Sequence, residues 1–307
     1  MSDSPAISTE GLTKHYGDVR AVQDLDLEIS RGEVFGFLGP NGSGKTTTMR
    51  TILDLIRPTA GRASVLGMDS HRQAVEIRRH VGYVPGELAL YPKLTGRQLL
   101  DYFAHLRGGV EWEFVDELAG RFEADLGKRI GDYSTGNRQK IGLIQAFMNR
   151  PDVLILDEPS IGLDPLVQQE LHALLRDAAT GGRTVFLSSH TLSEVERVAD
   201  RVGIIRKGRL VVVETIDSLK AKAIRSVTMD FAEEIEPGIF AGVDGIRDAE
   251  ISGSRATLTF EGSMSEVLRV ATRHEIVNLS STEADLEEIF LTYYRNAEEA
   301  DNGAEGS

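Results

Sequence analysis

The sequence predicts an α/β fold with a mostly parallel sheet core and a helical insert, followed by a small α+β unit. Three apolar runs carry the first part: Val34-Phe35-Gly36-Phe37-Leu38, Val153-Leu154-Ile155-Leu156 and Thr184-Val185-Phe186-Leu187. Each is short and continuously apolar, as strands buried on both faces are, and each alternates with helical patterns. Each also ends in groups capable of chemistry: a glycine-rich turn, Asp157-Glu158, and Ser188-Ser189-His190. Open α/β sheets bind ligands beyond the carboxyl ends of their strands, so these groups are expected at the ligand edge.

The remaining elements follow in order. A helix from about Lys45 to Leu55 leaves the glycine-rich turn. The strand-poor stretch from about 87 to 149 reads as a helical insert. Leu99, Leu100, Phe103 and Leu106, then Val115, Leu118 and Phe122, recur there at helical spacing. From Ala221 the texture changes. Ser226 to Phe231 and Ala256 to Phe260 alternate like half-buried strands, and Gly253-Ser254 marks a hairpin. Ser263 to His274 and Glu283 to Arg295 have amphipathic helical spacing. The expected organisation is a first domain over 1–220, a small α+β domain over 221–295, and an acidic tail over 296–307. That tail holds four acids and no base, and is expected to be a solvated, disordered end.

Composition removes several classes of function. The 307 residues include no cysteine, which excludes disulfides, thiol nucleophiles and zinc fingers. A formal charge of −14 argues against a nucleic-acid partner, which calls for a basic patch or stripe. Met1 to Pro5 is polar and lacks a cationic, apolar leader, and no run reaches the about 18 apolar residues that span a bilayer. The expectation is a soluble, cytoplasmic chain whose membrane role, if it has one, comes through a partner.

Gly39-Pro40-Asn41-Gly42-Ser43-Gly44-Lys45-Thr46 fits the phosphate-binding pattern G-x-x-x-x-G-K-[ST], between an expected strand and an expected helix. Its glycines let backbone N–H groups turn toward phosphate oxygens, Lys45 reaches the β/γ-phosphates, and Thr46 offers Mg²⁺ a hydroxyl. Thr47 follows on the helix N-terminus, whose dipole favours anions. Asp157, at the end of a buried strand, is the second metal residue, and Glu158 is free to polarise an attacking water. Without the upstream loop, such an acid pair would read as a solvated strand end.

These two motifs define P-loop NTPases in general; Tyr133-Ser134-Thr135-Gly136-Asn137-Arg138-Gln139-Lys140 narrows the field. It resembles the signature of ATP-binding-cassette (ABC) proteins, and the resemblance covers roughly residues 6 to 220. Asp157-Glu158-Pro159-Ser160-Ile161-Gly162-Leu163-Asp164-Pro165 is similar to the family's Walker B and D-loop in one run. The resemblance implies that Glu158 is the general base, His190 the switch histidine and Asp164 the D-loop acid. It implies that Ser134, Thr135, Gly136 and Asn137 face a nucleotide held by a second subunit. Thr135 and Asn137 replace the usual glycine and glutamine. Tyr16, 29 residues before Lys45, matches the family's adenine-stacking aromatic, although a lone strand tyrosine also serves in a core or rim.

Val81-Gly82-Tyr83-Val84-Pro85, Leu90-Tyr91-Pro92, Leu94-Thr95 and Asp285-Leu286-Glu287-Glu288-Ile289-Phe290 look like drug-export ATPases that pair with a separate six-span permease. The resemblance therefore implies a Mg²⁺-dependent ATPase, acting as a homodimer at the inner face of the membrane through an integral-membrane permease. Export of a drug-like, lipid or other small molecule is the implied work. A soluble ABC ATPase acting on ribosomes or DNA is the alternative, but the chain has one cassette and neither a charged inter-cassette linker nor a long coiled-coil insertion. One departure stands out. Gly86 occupies the Q-loop position where the family places a metal-touching glutamine, so water or Glu87 must take that place, with Gly86 as the hinge. Leu88, Leu90, Tyr91 and Leu94 would form the groove for the permease's cytoplasmic helix, or simply pack the insert.

Overall fold

The computed structural model describes residues 4–222, 225–260 and 264–282. They divide into two compact units, one ending at Val213 and the other starting at Glu214. The expected helix Glu283 to Arg295, with its Asp285 to Phe290 run, and the acidic tail lie outside the described residues.

The first unit opens with β1 (Ile7–Tyr16), β2 (Val19–Ile29) and β3 (Val34–Leu38), and then α1 (Lys45–Ile52). Next come β4 (Ala60–Val65), β5 (Met68–Asp69), α2 (Ala74–His80) and β6 (Val81–Val84). The insert supplies α3 (Gly96–Leu106), α4 (Trp112–Arg121) and α5 (Thr135–Phe147). Then β7 (Val153–Asp157), α6 (Pro165–Thr180), β8 (Thr184–Ser189), α7 (Leu192–Val198), β9 (Arg201–Arg206) and β10 (Arg209–Thr215) complete the alternation.

Two sheets result. One runs β10-β9-β3-β8-β7-β6, with β3, β6, β7, β8 and β9 paired in parallel; the other is β2-β1-β4-β5 and antiparallel. The three runs read as buried strands are β3, β7 and β8, at adjacent central positions, and every residue in them is buried. Helix α1 packs on β1, β2 and β4 from the antiparallel sheet and on β7 from the parallel one. The core between the sheets joins Leu12, Leu25 and Ile29 to Phe35, Phe37, Met49 and Phe186. The Phe186 ring lies tilted against both Phe35 and Phe37, at 6.1 and 5.5 Å between centroids. Each such side chain contributes about 1.5–3 kcal/mol of burial free energy. Helix α1 is shorter than expected and ends at Ile52, because Asp54 takes a left-handed φ of 53°.

In the insert, α3 begins with a capping box. The Thr95 hydroxyl accepts the Gln98 N–H while the Gln98 side chain accepts the Thr95 N–H. Leu99, Leu100, Val115, Leu118 and Phe122 are buried as expected, and Phe103 is partly buried. Leu106 departs from the expectation. It is 66% exposed, because α3 ends there and the chain turns away through Gly108 and Gly109, both at positive φ.

The second unit holds α8 (Ile216–Lys222), β11 (Arg225–Phe231), β12 (Ile246–Ser252), β13 (Arg255–Phe260), α9 (Met264–Ala271) and β14 (Ile276–Thr282). Its antiparallel sheet runs β12-β13-β11-β14, with Gly253-Ser254 as the β12–β13 turn. Alternate residues Val227, Met229, Ala256, Leu258 and Phe260 pack on Val267 and Ala271 of α9, the α+β arrangement expected from the alternation.

One close approach fixes how α7 sits on the parallel sheet. A Cβ added at Gly36 of β3 would lie 2.1 Å from Val195 Cγ1. Gly36→Ala is therefore expected to force the helix outward and to lower stability by about 1–3 kcal/mol. Urea unfolding followed by circular dichroism measures this.

Candidate functional site

The carboxyl ends of β3, β7 and β8 do meet, and their side chains form one bonded cluster. The loop after β3 is held from several sides. The Gly39 N–H donates to Ser189 O of β8 (3.3 Å), and the Ser43 carbonyl accepts the Gly208 N–H (2.9 Å) from the β9–β10 turn. Gly208 O in turn accepts the Gln23 N–H of β2 (2.8 Å). Gly42 and Gly44 take positive φ (80° and 112°), which aims successive backbone amides differently from a helix and forms a concave loop. Pro40, Asn41 and Gly42 are exposed, Gly39, Ser43 and Lys45 are buried, and Thr46 and Thr47 are half-buried on the first turn of α1.

Lys45 Nζ donates to the carbonyls of Gly39 (2.5 Å) and Pro40 (3.3 Å) and lies 3.2 Å from Glu158 Oε1. The other Glu158 oxygen, Oε2, is 2.7 Å from His190 Nδ1. One carboxylate thus links the loop lysine to the histidine after β8. Glu158 holds a left-handed φ of 51°, a conformation that non-glycine residues adopt only when their surroundings enforce it. Part of that enforcement is the Ser188 hydroxyl, which accepts the Glu158 N–H (3.0 Å) and donates to Asp157 Oδ1 (2.6 Å).

Asp157 is fully buried, and its second oxygen, Oδ2, has no hydrogen-bond partner. Gly86 faces it: a Cβ there would stand 3.0 Å from Asp157 Oδ2. Gly86 is absent from the positive-φ glycines, and in this conformation glycine leaves room beside the carboxylate. Tyr83, three residues earlier on β6, is close enough to feel the same group. Burial first, and then the Asp157 charge, raise its phenol above the ordinary range.

The Ser134 hydroxyl caps α5 by accepting the Asn137 N–H (3.3 Å), and Ser134 and Thr135 are exposed. Gly136 lies against the loop after β7, where an added Cβ would meet Gly162 O at 2.2 Å. Gln139 Nε2 donates to Pro159 O (2.9 Å), and Lys140 Nζ lies 3.8 Å from Asp164. Asp164 caps α6 through the Leu166 and Val167 N–H groups, and the Val167 bond foremost, with help from Lys140, holds its carboxyl below the ordinary value. Tyr16, at the end of β1, is 48% exposed and has Lys14 Nζ 5.0 Å over its ring.

Beyond β6, Leu88 and Leu90 line an apolar groove of about 290 Å³ with Leu55, Pro85 and Phe103. Tyr91 stands apart, edge-on to Tyr102 at 6.1 Å. Ser160, Ser188, Ser189 and Glu194 belong to the bonded cluster; the sequence places Ser188 and Ser189 at a strand end and Ser160 in the D-loop run, but assigns no bond to any of the four. The available signal was three hydroxyls at two strand ends with an acid four residues after His190. Among the described residues no helix is long and apolar enough to cross a membrane.

Comparison with known proteins agrees with this geometry. The sequence profile of the ABC transporter family matches residues 22–161. The daunorubicin resistance ATP-binding protein DrrA3 of Streptomyces coeruleorubidus is 41% identical over 227 residues, 72% of this chain and 72% of that protein. The bacitracin transport ATP-binding protein BcrA of Enterococcus faecalis is 34% identical over 292 residues, 92% of this chain and 94% of its own. Among solved structures, the ATP-binding subunit of an ABC transporter superposes with a TM-score of 0.65 at 30% identity, covering 70% of this chain and 92% of that one. A dimeric cassette, MJ0796 with ADP and Pi, matches at TM-score 0.63 and 22% identity over 68% of this chain and 98% of that one, a likeness of fold. The chain belongs to the ABC transporter family as an ATP-hydrolysing, ATP-binding subunit of the drug-export type.

Proposed function

We propose that this subunit binds Mg-ATP between its glycine-rich loop and the signature of a second copy, and energises a permease carried on a separate chain. The observation that carries the catalytic part is Glu158, which touches both Lys45 and His190 at the strand ends. Phosphoryl transfer is mostly positioning and electrostatics, and the roles follow from that. The backbone amides of Gly39 to Thr47 cradle the phosphates. Lys45 turns from Glu158 to the nucleotide, since three phosphate oxygens out-compete one carboxylate for an ammonium. Glu158, held by His190, then takes the proton of the attacking water.

The residues fit a magnesium ion. A buried carboxylate oxygen without a hydrogen bond, Asp157 Oδ2, is costly unless positive charge reaches it, and the Thr46 hydroxyl is on the first turn of α1. Asp157 and Thr46 would hold the ion, which when bound neutralises phosphate charge. The room that Gly86 leaves beside Asp157 suits a water in the metal shell, since magnesium keeps several waters. Tyr16 would stack on adenine from the exposed end of β1.

The exposed Ser134 cap supports the two-copy reading, because an uncovered helix N-terminus offers its dipole to a nucleotide on a partner. The apolar groove lined by Leu88 and Leu90 would receive a cytoplasmic helix of the permease, placing the subunit at the inner face of the membrane. The named relatives act in daunorubicin resistance and bacitracin transport, which favours export of a drug-like or other small-molecule cargo.

Glu158→Gln should keep ATP affinity within about threefold while lowering kcat by about 100-fold or more, the usual range for losing a general base. Lys45→Ala should instead weaken nucleotide binding by about tenfold or more, as expected for a lost charge-assisted bond. Calorimetric titration with ATP beside steady-state hydrolysis separates the two. Near-parental turnover by Glu158→Gln would remove it as the base.

A second test concerns the metal. Gly86→Ala puts a methyl against Asp157 Oδ2 and should raise the half-saturating Mg²⁺ concentration for hydrolysis by about tenfold, the worth of about 1.4 kcal/mol. Glu87→Ala should leave it within about twofold. A large rise for Glu87→Ala would make that carboxylate the ligand instead of water.

A further inference from the structure

The geometry points to Glu194 as a positioning residue for ATP turnover, one carboxylate that aligns Glu158 and His190 by gripping the chain next to each. Glu194 Oε1 accepts the hydroxyl of Ser160, two residues beyond Glu158. Its other oxygen, Oε2, accepts the Ser189 hydroxyl at 2.6 Å, and Ser189 directly precedes His190. Ser189 Oγ also accepts the Thr191 N–H at 2.9 Å, so the backbone is tied on both sides of the histidine. Both grips are O–H to carboxylate bonds, which are shorter and roughly twice as strong as neutral ones.

The grip has a fixed base. Glu194 stands in the first turn of α7, and its neighbour Val195 presses on Gly36 of β3, the strand that feeds the glycine-rich loop. Glu194 therefore carries the position of β3 to the ends of β7 and β8. A cavity of about 260 Å³ lies on this cluster, lined by Glu158, Ser160, His172, His190, Glu194 and Arg197. The strained φ of Glu158 gives the alignment something to do. A residue in that conformation relaxes unless the chain on both sides is held, and Ser188 grips its amide while Glu194 grips the loop beyond through the Ser160 hydroxyl. Misplacing a reacting group by about 1 Å can lower a rate by about 100-fold.

The inference rests on reading Glu158 as the base, and the test keeps the two apart. In the full chain, Glu194→Gln leaves one acceptor oxygen for two hydroxyls. It should lower kcat by about tenfold while ATP affinity and the KM for ATP stay within about twofold, the pattern of an interaction lost only in the transition state. Ser160→Ala and Ser189→Ala each remove one grip without disturbing the carboxylate, and each should lower kcat by about three- to tenfold. Adding either to Glu194→Ala should cause little further loss, because all act through one cluster. Glu158→Gln runs alongside. If it loses turnover while Glu194→Gln keeps kcat within about twofold, or if the serine effects simply multiply with that of Glu194→Ala, the positioning role is overturned. A fall in thermal stability of Glu194→Gln with kcat unchanged overturns it too, as a purely structural role would. If Glu158→Gln keeps turnover, the base assignment itself fails.

Discussion

The arrangement depends on one hydroxyl. Ser188 sits fully buried at the end of β8 and serves both residues at the end of β7, accepting the Glu158 amide and donating to the Asp157 carboxylate. Because β7 and β8 are parallel neighbours with Asp157 opposite Ser188, their pairing register alone brings the groups together. A buried carboxylate with both oxygens unsatisfied would destabilise the edge by several kcal/mol, as ions taken from water do. Ser188 satisfies one oxygen and leaves the other facing Gly86. The strand end is thus stable enough to fold and still unsaturated enough to attract a cation.

Close packing transmits this order outward. The approach of α7 to β3 at Gly36 and of α5 to the loop after β7 at Gly136 leaves no slack for side chains. The second contact also changes the meaning of the signature. Gly136 is needed within its own chain, to let α5 touch Gly162, and Gln139 and Lys140 tie the same helix to Pro159 and Asp164. A surface that engaged the exposed cap at Ser134, as proposed, would therefore act on a helix tied to the segment that begins at Glu158. That continuity would give the proposed second copy a physical route to the site of hydrolysis.

Much of this was legible in the sequence. The runs from Val34, Val153 and Thr184 were readable because strands buried on both faces are uniformly apolar, and the loop before Lys45 because phosphate cradles need glycines at fixed spacing. Among the strands not read are β1, β2 and β14. Their residues alternate imperfectly, and bulges between Thr9 and His15 break the period in β1. The bonds of Ser188, Ser160 and Glu194 stayed silent for another reason. Each acts on a partner about thirty residues away, and a serine or glutamate has no local pattern that announces a distant bond. At Gly86 the sequence shows a missing side chain but not the Asp157 oxygen that stands beside it.

Charge favours the proposal that the nucleotide arrives with a metal. Lys45 brings one positive charge to a strand end holding the carboxylates of Asp157 and Glu158, and Glu194 adds a third within the same bonded cluster. A polyphosphate entering this edge alone would meet repulsion that one ammonium and the backbone amides only partly offset. Coulomb energies of about 4 kcal/mol per charge pair at 4 Å, for sites near a protein surface, make that a serious barrier. A divalent ion held by Asp157 and Thr46, as proposed, would reverse the sign of the largest interaction. The acids that make the edge hostile to free phosphate would then make it selective for the metal complex. On the proposed roles, Glu158 would lose Lys45 to the phosphates, keep His190 as its neighbour and be left as the basic oxygen nearest the chemistry.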